Sequence, residues 1–112
     1  MNLHLDKKII VVTGGAKGIG EGIVKALDAE NAVPVIVGRK ETDNLKTLES
    51  IGNKGFQVVA ELTEPEECGQ AIKKIIKKYN RIDGLVNNAS VNDGVGLENG
   101  NYEDFITSLH KN

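Results

Sequence analysis

The sequence has no tryptophan, one cysteine and two prolines, and no excess of charge of either sign. A lone cysteine, Cys68, leaves no internal disulfide. His4 and His110 lie far from it and from each other, so a Cys/His zinc site is unsupported and no metal is expected. The 14 Lys and Arg nearly offset 16 Asp and Glu, for a net charge of -2. That balance lacks the basic footprint of a nucleic-acid binder. No apolar run approaches the ~18 residues of a membrane span, and the apolar patch after Lys8 is too short for a secretory signal. A cytoplasmic chain with no membrane partner is expected. At 112 residues, close to the ~100 to 200 of a typical domain, residues 1–112 read as a single domain.

Glycine, by contrast, is plentiful. There are 13, where an average of about 7% would give roughly 8. With so little proline beside it, this composition indicates tight backbone turns rather than disorder. Residues 8–13 form a β-branched run without alternation, the pattern of a strand buried on both faces of a parallel sheet. Ile19, Ile23, Ala26 and Leu27 then recur at helical spacing, with Glu21, Lys25 and Asp28 opposite. A second apolar strand covers 33–37 and ends at Gly38, with Pro34 near its start. A helix is predicted over about 43–50, carrying Leu45, Leu48 and Ile51, before Gly52 and Gly55 stop it. Phe56, Val58 and Val59 form a third strand. Thr63, Pro65 and Glu66 read as a capping-box start to a helix whose apolar stripe runs Cys68, Ala71, Ile72, Ile75, Ile76 and Tyr79. Lysines 73, 74, 77 and 78 take its other face and last turns, where cations suit the dipole. Gly84, Leu85 and Val86 open a fourth strand, a loop covers 87–100, and Phe105, Ile106 and Leu109 begin a further helix. The sequence stops inside that helix without a cap, as if more chain normally followed. Strands alternating with helices predict an α/β doubly wound parallel sheet.

The sequence TGGAKGIG lies between the first strand and its helix, where such a sheet holds its ligand. Gly14, Gly18 and Gly20 let the backbone turn sharply and let a diphosphate approach the amide groups at the helix start. The GxxxGxG spacing differs from the GxGxxG fingerprint. A P-loop needs Lys and then Ser or Thr after the last glycine, whereas Glu21 and Gly22 follow Gly20, so nucleotide hydrolysis is not expected. At the end of the second strand a carboxylate would select NAD, and a basic group would accommodate the 2'-phosphate of NADP. Arg39 and Lys40 stand there, and Lys17 in the glycine loop adds a second cation to the pocket. NADP is therefore the expected cofactor, with NAD as the alternative.

With TGGAKGIG at 13–20 and Asn87, Asn88 and Ala89 after the fourth strand, the chain resembles the classical short-chain dehydrogenases/reductases over essentially its whole length. It looks like the first half of their Rossmann-type domain, with strand order 3-2-1-4, truncated. The segment 91–105 further resembles the sugar-dehydrogenase branch, L-fucose dehydrogenases in particular. The resemblance implies that Gly14, Gly18, Ile19 and Gly20 meet the cofactor pyrophosphate while Thr13 holds the glycine loop. It places Asn87 and Ala89 along the adenosine ribose and central sheet. The family's acidic residue that meets the adenine amine, normally Asp, matches Glu61, one methylene longer and followed by Leu62 and Thr63. Ser90 stands where a Gly commonly completes the NNAG motif.

The same resemblance implies hydride transfer between NADP(H) and a secondary alcohol or ketone, possibly a sugar. The family's chemistry uses an Asn, a Ser and a YxxxK pair. Asn112 matches the Asn. Neither Tyr79 nor Tyr102 has Lys four residues on, so this chain is expected to supply the cofactor-binding half and to be inactive alone. A noncatalytic dinucleotide-binding module is the alternative reading. The helix carrying Cys68 to Tyr79 and the one at Phe105 form subunit interfaces in the family, and the fourth strand of a 3-2-1-4 sheet would be an apolar edge. A homo-oligomer is expected.

Overall fold

The computed structural model describes residues 4–14, 16 and 18–88. The expectations for Lys17, Ala89, the loop after Asn88, the helix at Phe105 and Asn112 lie outside them. Seven elements follow one another along the chain. They are β1 (Ile9–Thr13), α1 (Gly18–Ala29), β2 (Val33–Gly38), α2 (Glu41–Ser50), β3 (Phe56–Val59), α3 (Pro65–Tyr79) and β4 (Gly84–Asn87). The strands form one sheet in the order β3-β2-β1-β4. Every pairing is parallel, with Val11 opposite both Val35 and Leu85, and Val37 opposite Val58. This is the doubly wound architecture the alternating pattern predicts.

β1 is buried at all five positions, because successive side chains serve opposite faces of a covered sheet. Ile9, Val11, Val35, Val37 and Val58 pack with Cys68, Ala71, Ile72 and Ile75 of α3. Val12 and Ile36 pack on the other side with Val24 of α1, Leu48 of α2 and Ile51 just beyond it. Pro34 is tolerated in a central strand for a geometric reason. Val33 donates to Lys8 O and Gly14 to Val37 O, so odd positions of β2 bond toward β1, while Gly38 O accepts from Ala60 on the β3 side. The missing N–H of Pro34 therefore points toward β3, whose pairing begins only at Phe56, opposite Val35.

Four sequence expectations are corrected. β1 starts at Ile9, one residue later than the apolar run suggested, because Lys8 is exposed. α1 is rotated relative to its predicted face. Gly20 and Val24 are its buried residues, Ile23 and Leu27 are half-buried, and Ala26 and Ile19 are exposed, Ile19 at 66%. α2 begins at Glu41, and its inner face is Asn44, Thr47 and Leu48, while Leu45 is exposed. The capping box does not form. Pro65 is the first helical residue of α3, Glu64 is its cap position without a side-chain bond, and Thr63 Oγ1 donates instead to Glu61 Oε1 at 3.0 Å. Glu67, three residues past the cap, reaches back to accept from the Glu61 amide at 2.8 Å. α3 carries Lys77 and Lys78 in its last turn and ends with Asn80 in the left-handed region (φ 66°), its amide donating to Ile76 O.

At the edge where the strands start, Asp83 ties β1 to β4. Its Oδ2 accepts from the Ile9 amide at 2.7 Å and from Arg81 Nε at 2.9 Å, while Arg81 also donates to Lys7 O. The Ile9 amide and then Arg81 hold the Asp83 carboxyl below the usual carboxylate range. The half-buried Tyr79 lies at the same edge, its ring edge-on to Phe56 at 6.1 Å, and burial pushes its hydroxyl up.

Candidate functional site

In a parallel sheet all strands end at one edge, so the chain places Gly14, Gly38, Ala60 and Asn88 together without any long-range design beyond the register. Thr13, the last residue of β1, is 3% exposed and couples that edge across to β4. Its hydroxyl donates to Asn87 Oδ1 at 3.1 Å and accepts from the Asn88 amide at 3.2 Å. The turn itself is held at its carbonyls. Asn88 Nδ2 donates to Gly14 O at 3.3 Å, and Thr47 Oγ1 of α2 donates to Ala16 O at 3.1 Å. The Gly14 amide is taken by Val37 O.

Glycine is required here for two distinct reasons. Gly18 opens α1 at φ +54°, a conformation side-chain-bearing residues rarely take, in otherwise open space. Gly20 has ordinary dihedrals but no room. A Cβ there would press on the Gly14 carbonyl and lie 2.8 Å from Asn88 Nδ2. The first turn of α1 thus packs directly on the turn after β1, and the start of α1 faces the open side beside Gly18. Amide groups at a helix start, with the dipole behind them, suit a diphosphate.

A second group sits at the ends of β2 and β3. Arg39 follows Gly38, is exposed, and its Nε lies 3.8 Å from Glu61 Oε2. Glu61 is itself fixed by Thr63 and by the Glu67 carboxylate on its amide. An exposed pair at this separation contributes little to stability. It places a cation and a carboxylate side by side at the ends of β2 and β3. Leu62 turns the other way and packs against the α3-side core.

The structure therefore brings Thr13, Gly14, Gly18, Ile19, Gly20 and Asn87 to one end of the strand edge and Arg39 with Glu61 to the other. Lys17, Ala89 and Asn112 lie outside the described residues. Three residues that hold this edge were not singled out from sequence. Asn88 was visible as the middle of the NNA motif but carried no assigned role. Asn44 and Thr47 had a subtler signal, since 44, 47, 48 and 51 share one helical face and two of the four are polar.

A nucleotide-type turn on a parallel, doubly wound sheet defines the class of protein, and comparison with known proteins narrows it. The profile of the short chain dehydrogenase family matches residues 8–112, and the chain belongs to that family. It is 31% identical over 98% of its length to the 3-oxoacyl-[acyl-carrier-protein] reductase FabG of Thermotoga maritima, and covers 46% of that protein. It is 35% identical over 84% of its length to short-chain dehydrogenase reductase 3a of Arabidopsis thaliana, covering 37% of it. Among solved structures, the citronellol catabolism dehydrogenase AtuB of Pseudomonas aeruginosa superposes with a TM-score of 0.83 at 25% identity, over 99% of this chain and 52% of that one. The chain spans 37% to 52% of the length of these relatives, which are reductases or dehydrogenases by name.

Proposed function

We propose that residues 1–112 are the nucleotide-holding domain of an NADP(H)-linked short-chain oxidoreductase that interconverts a secondary alcohol and a ketone. The observation that carries this reading is the turn after β1. Gly18 at positive φ and Gly20 packed on the Gly14 carbonyl leave the backbone at the start of α1 approachable by a diphosphate. Family membership points to the same ligand class. In this reading Gly14, Gly18, Ile19 and Gly20 hold the pyrophosphate, Thr13 and Asn88 keep the turn in place, and Lys17 is a second cation for the 2'-phosphate. Asn87 and Ala89 line the ribose side, and Glu61 borders the adenine, while Leu62 packs behind it on the α3-side core rather than on the nucleotide. Arg39 takes the 2'-phosphate through its planar fork, which is why NADP is favoured over NAD.

The bound dinucleotide supplies hydride chemistry at its nicotinamide, and the residues of this chain bind and orient it. Reduction of a ketone also needs a proton donor. Tyr79 is unsuited, because it lies against Phe56 at the opposite edge of the sheet. Asn112 is the position matching the family's catalytic Asn. For substrate, the likeness of 91–105 to sugar dehydrogenases and the FabG name of several relatives share one chemistry, a secondary alcohol and ketone couple. A homo-oligomer through the α3 side completes the reading.

Calorimetric titration of NADPH and NADH into the chain tests it. NADPH is expected to bind more tightly, and Arg39→Ala to weaken NADPH by about tenfold, the scale of one hydrogen bond to a charged group, without changing NADH. Equal affinities in the unaltered chain would refute the NADP assignment, and binding of neither would refute the nucleotide site.

A further inference from the structure

α2 is the least apolar helix of the fold, and its buried face is half polar. Asn44 is fully buried and Thr47 is 1% exposed, one turn apart, alongside Leu48. Burial of polar groups opposes folding unless hydrogen bonds offset it, so hydrophobic packing does not account for this pair. Each residue instead holds one side of the strand edge. Thr47 Oγ1 donates to Ala16 O of the glycine turn at 3.1 Å. Asn44 Nδ2 lies 3.2 Å from Gly38 O at the end of β2, 3.0 Å from Gln57 Oε1 and 3.4 Å from Val58 O in β3. Gly38 permits this approach, since a Cβ there would stand 2.5 Å from Asn44 Oδ1. That oxygen is buried with no hydrogen-bond partner among the described residues. Arg39 follows Gly38 directly and Glu61 comes three residues after Val58, and the carbonyls of Gly38 and Val58 are the ones Asn44 meets.

We infer that Asn44 and Thr47 are positioning residues, a buried polar brace on α2 that fixes the glycine turn relative to the ends of β2 and β3. Through that spacing the brace sets nucleotide affinity without touching the nucleotide, a consequence that rests on the function proposed above. A binding site holds its geometry only as well as the shell behind it. Thr47 is the more informative member, because valine keeps its shape and removes only the donor.

The test is NMR-detected hydrogen exchange on the unaltered chain, Thr47→Val and Thr47→Ser, with NADPH titrated into each. In Thr47→Val, exchange at the Gly14 amide, held by Val37 O, and at Gly22 to Val24, the hydrogen-bonded amides that follow the first turn of α1, should quicken by about two- to tenfold, the scale of one neutral hydrogen bond. Amides of α3 should keep their rates, NADPH should bind more weakly by a similar factor, and Thr47→Ser should restore both. Unchanged exchange at the turn, or equal acceleration throughout the chain, overturns the brace. So does quickened exchange at the turn with NADPH affinity intact. Absence of NADPH binding by the unaltered chain refutes the nucleotide reading instead, and the exchange at the turn then decides the brace alone.

Discussion

On one side of the sheet, Val11, Val35 and Val37 meet Cys68, Ala71, Ile72 and Ile75 of α3, and no polar side chain of that helix is buried. On the other side, Val12 and Ile36 meet Val24, Leu48 and Ile51, and the contact is completed by Gly20 against the Gly14 carbonyl and by buried Asn44 and Thr47. The first face is filled by apolar volume. The second depends on close backbone approach and on hydrogen bonds to carbonyls at the strand edge. With the function proposed above, stability and binding fall to different faces of one sheet, and the same β-branched strands serve both. Volume tolerates exchange among aliphatic residues, whereas a close approach or a single donor does not.

Substitution on each face should separate the two roles. The largest effect is expected from Ile72→Ala, which opens a cavity under α3 and should cost about 2 to 5 kcal/mol of folding stability by urea denaturation. NADPH affinity of the folded fraction should be unchanged. A loss of affinity in molecules that remain folded would break the division between the faces. Gly20→Ala tests the opposite face. Its Cβ forces the turn after β1 away from α1, an overpacking cost of about 1 to 3 kcal/mol. Calorimetry should read it chiefly as NADPH affinity weakened by about tenfold or more. Normal binding with reduced stability would mean that the contact only packs the fold.

The smallest effect concerns neither face but the starting edge of the strands. Because the Ile9 amide and Arg81 lower the Asp83 carboxyl, its contribution is fully present above the unfolded-state value near ~3.9 and fades as pH falls through the lower folded value. Asp83→Asn should therefore be less stable than the unaltered chain at neutral pH. The difference should shrink below about pH 4, in thermal melts taken across that range. A difference independent of pH would assign Asp83 a role unrelated to its charge.

What the sequence made legible follows the same division. The α3 stripe from Cys68 to Tyr79 was readable because a face filled by aliphatic volume repeats with the helix period. β1 and β2 were readable from unbroken β-branched runs alternating with helices, and the 3-2-1-4 order from the resemblance to the family. The glycine turn was readable from its position between them. Less legible was how that turn is held. Ile19 and Ala26 looked like core on α1, yet Gly20 and Val24 take the inner face, since only a residue without a side chain fits against Gly14. On α2, Leu45 looked like core and is exposed at 47%, while Asn44 and Thr47 are buried. An apolar template looks past polar residues at inward positions. The partners that make their burial tolerable, Gly38 O, Val58 O and Ala16 O, are fixed only by tertiary structure. The Thr63 capping box failed because α3 starts at Pro65, which makes Glu64 rather than Thr63 the cap residue.

The most direct test of the account is a map of amide chemical-shift changes as NADPH is added to the isotopically labelled chain. The account predicts changes concentrated at Thr13 to Gly20, at Gly38 and Arg39, at Ala60 and Glu61, and at Asn88, with Ala71 to Ile76 of α3 unmoved. Changes centred on α3, or none at all, would contradict the assignment of binding to the glycine-bearing edge and its α2 brace.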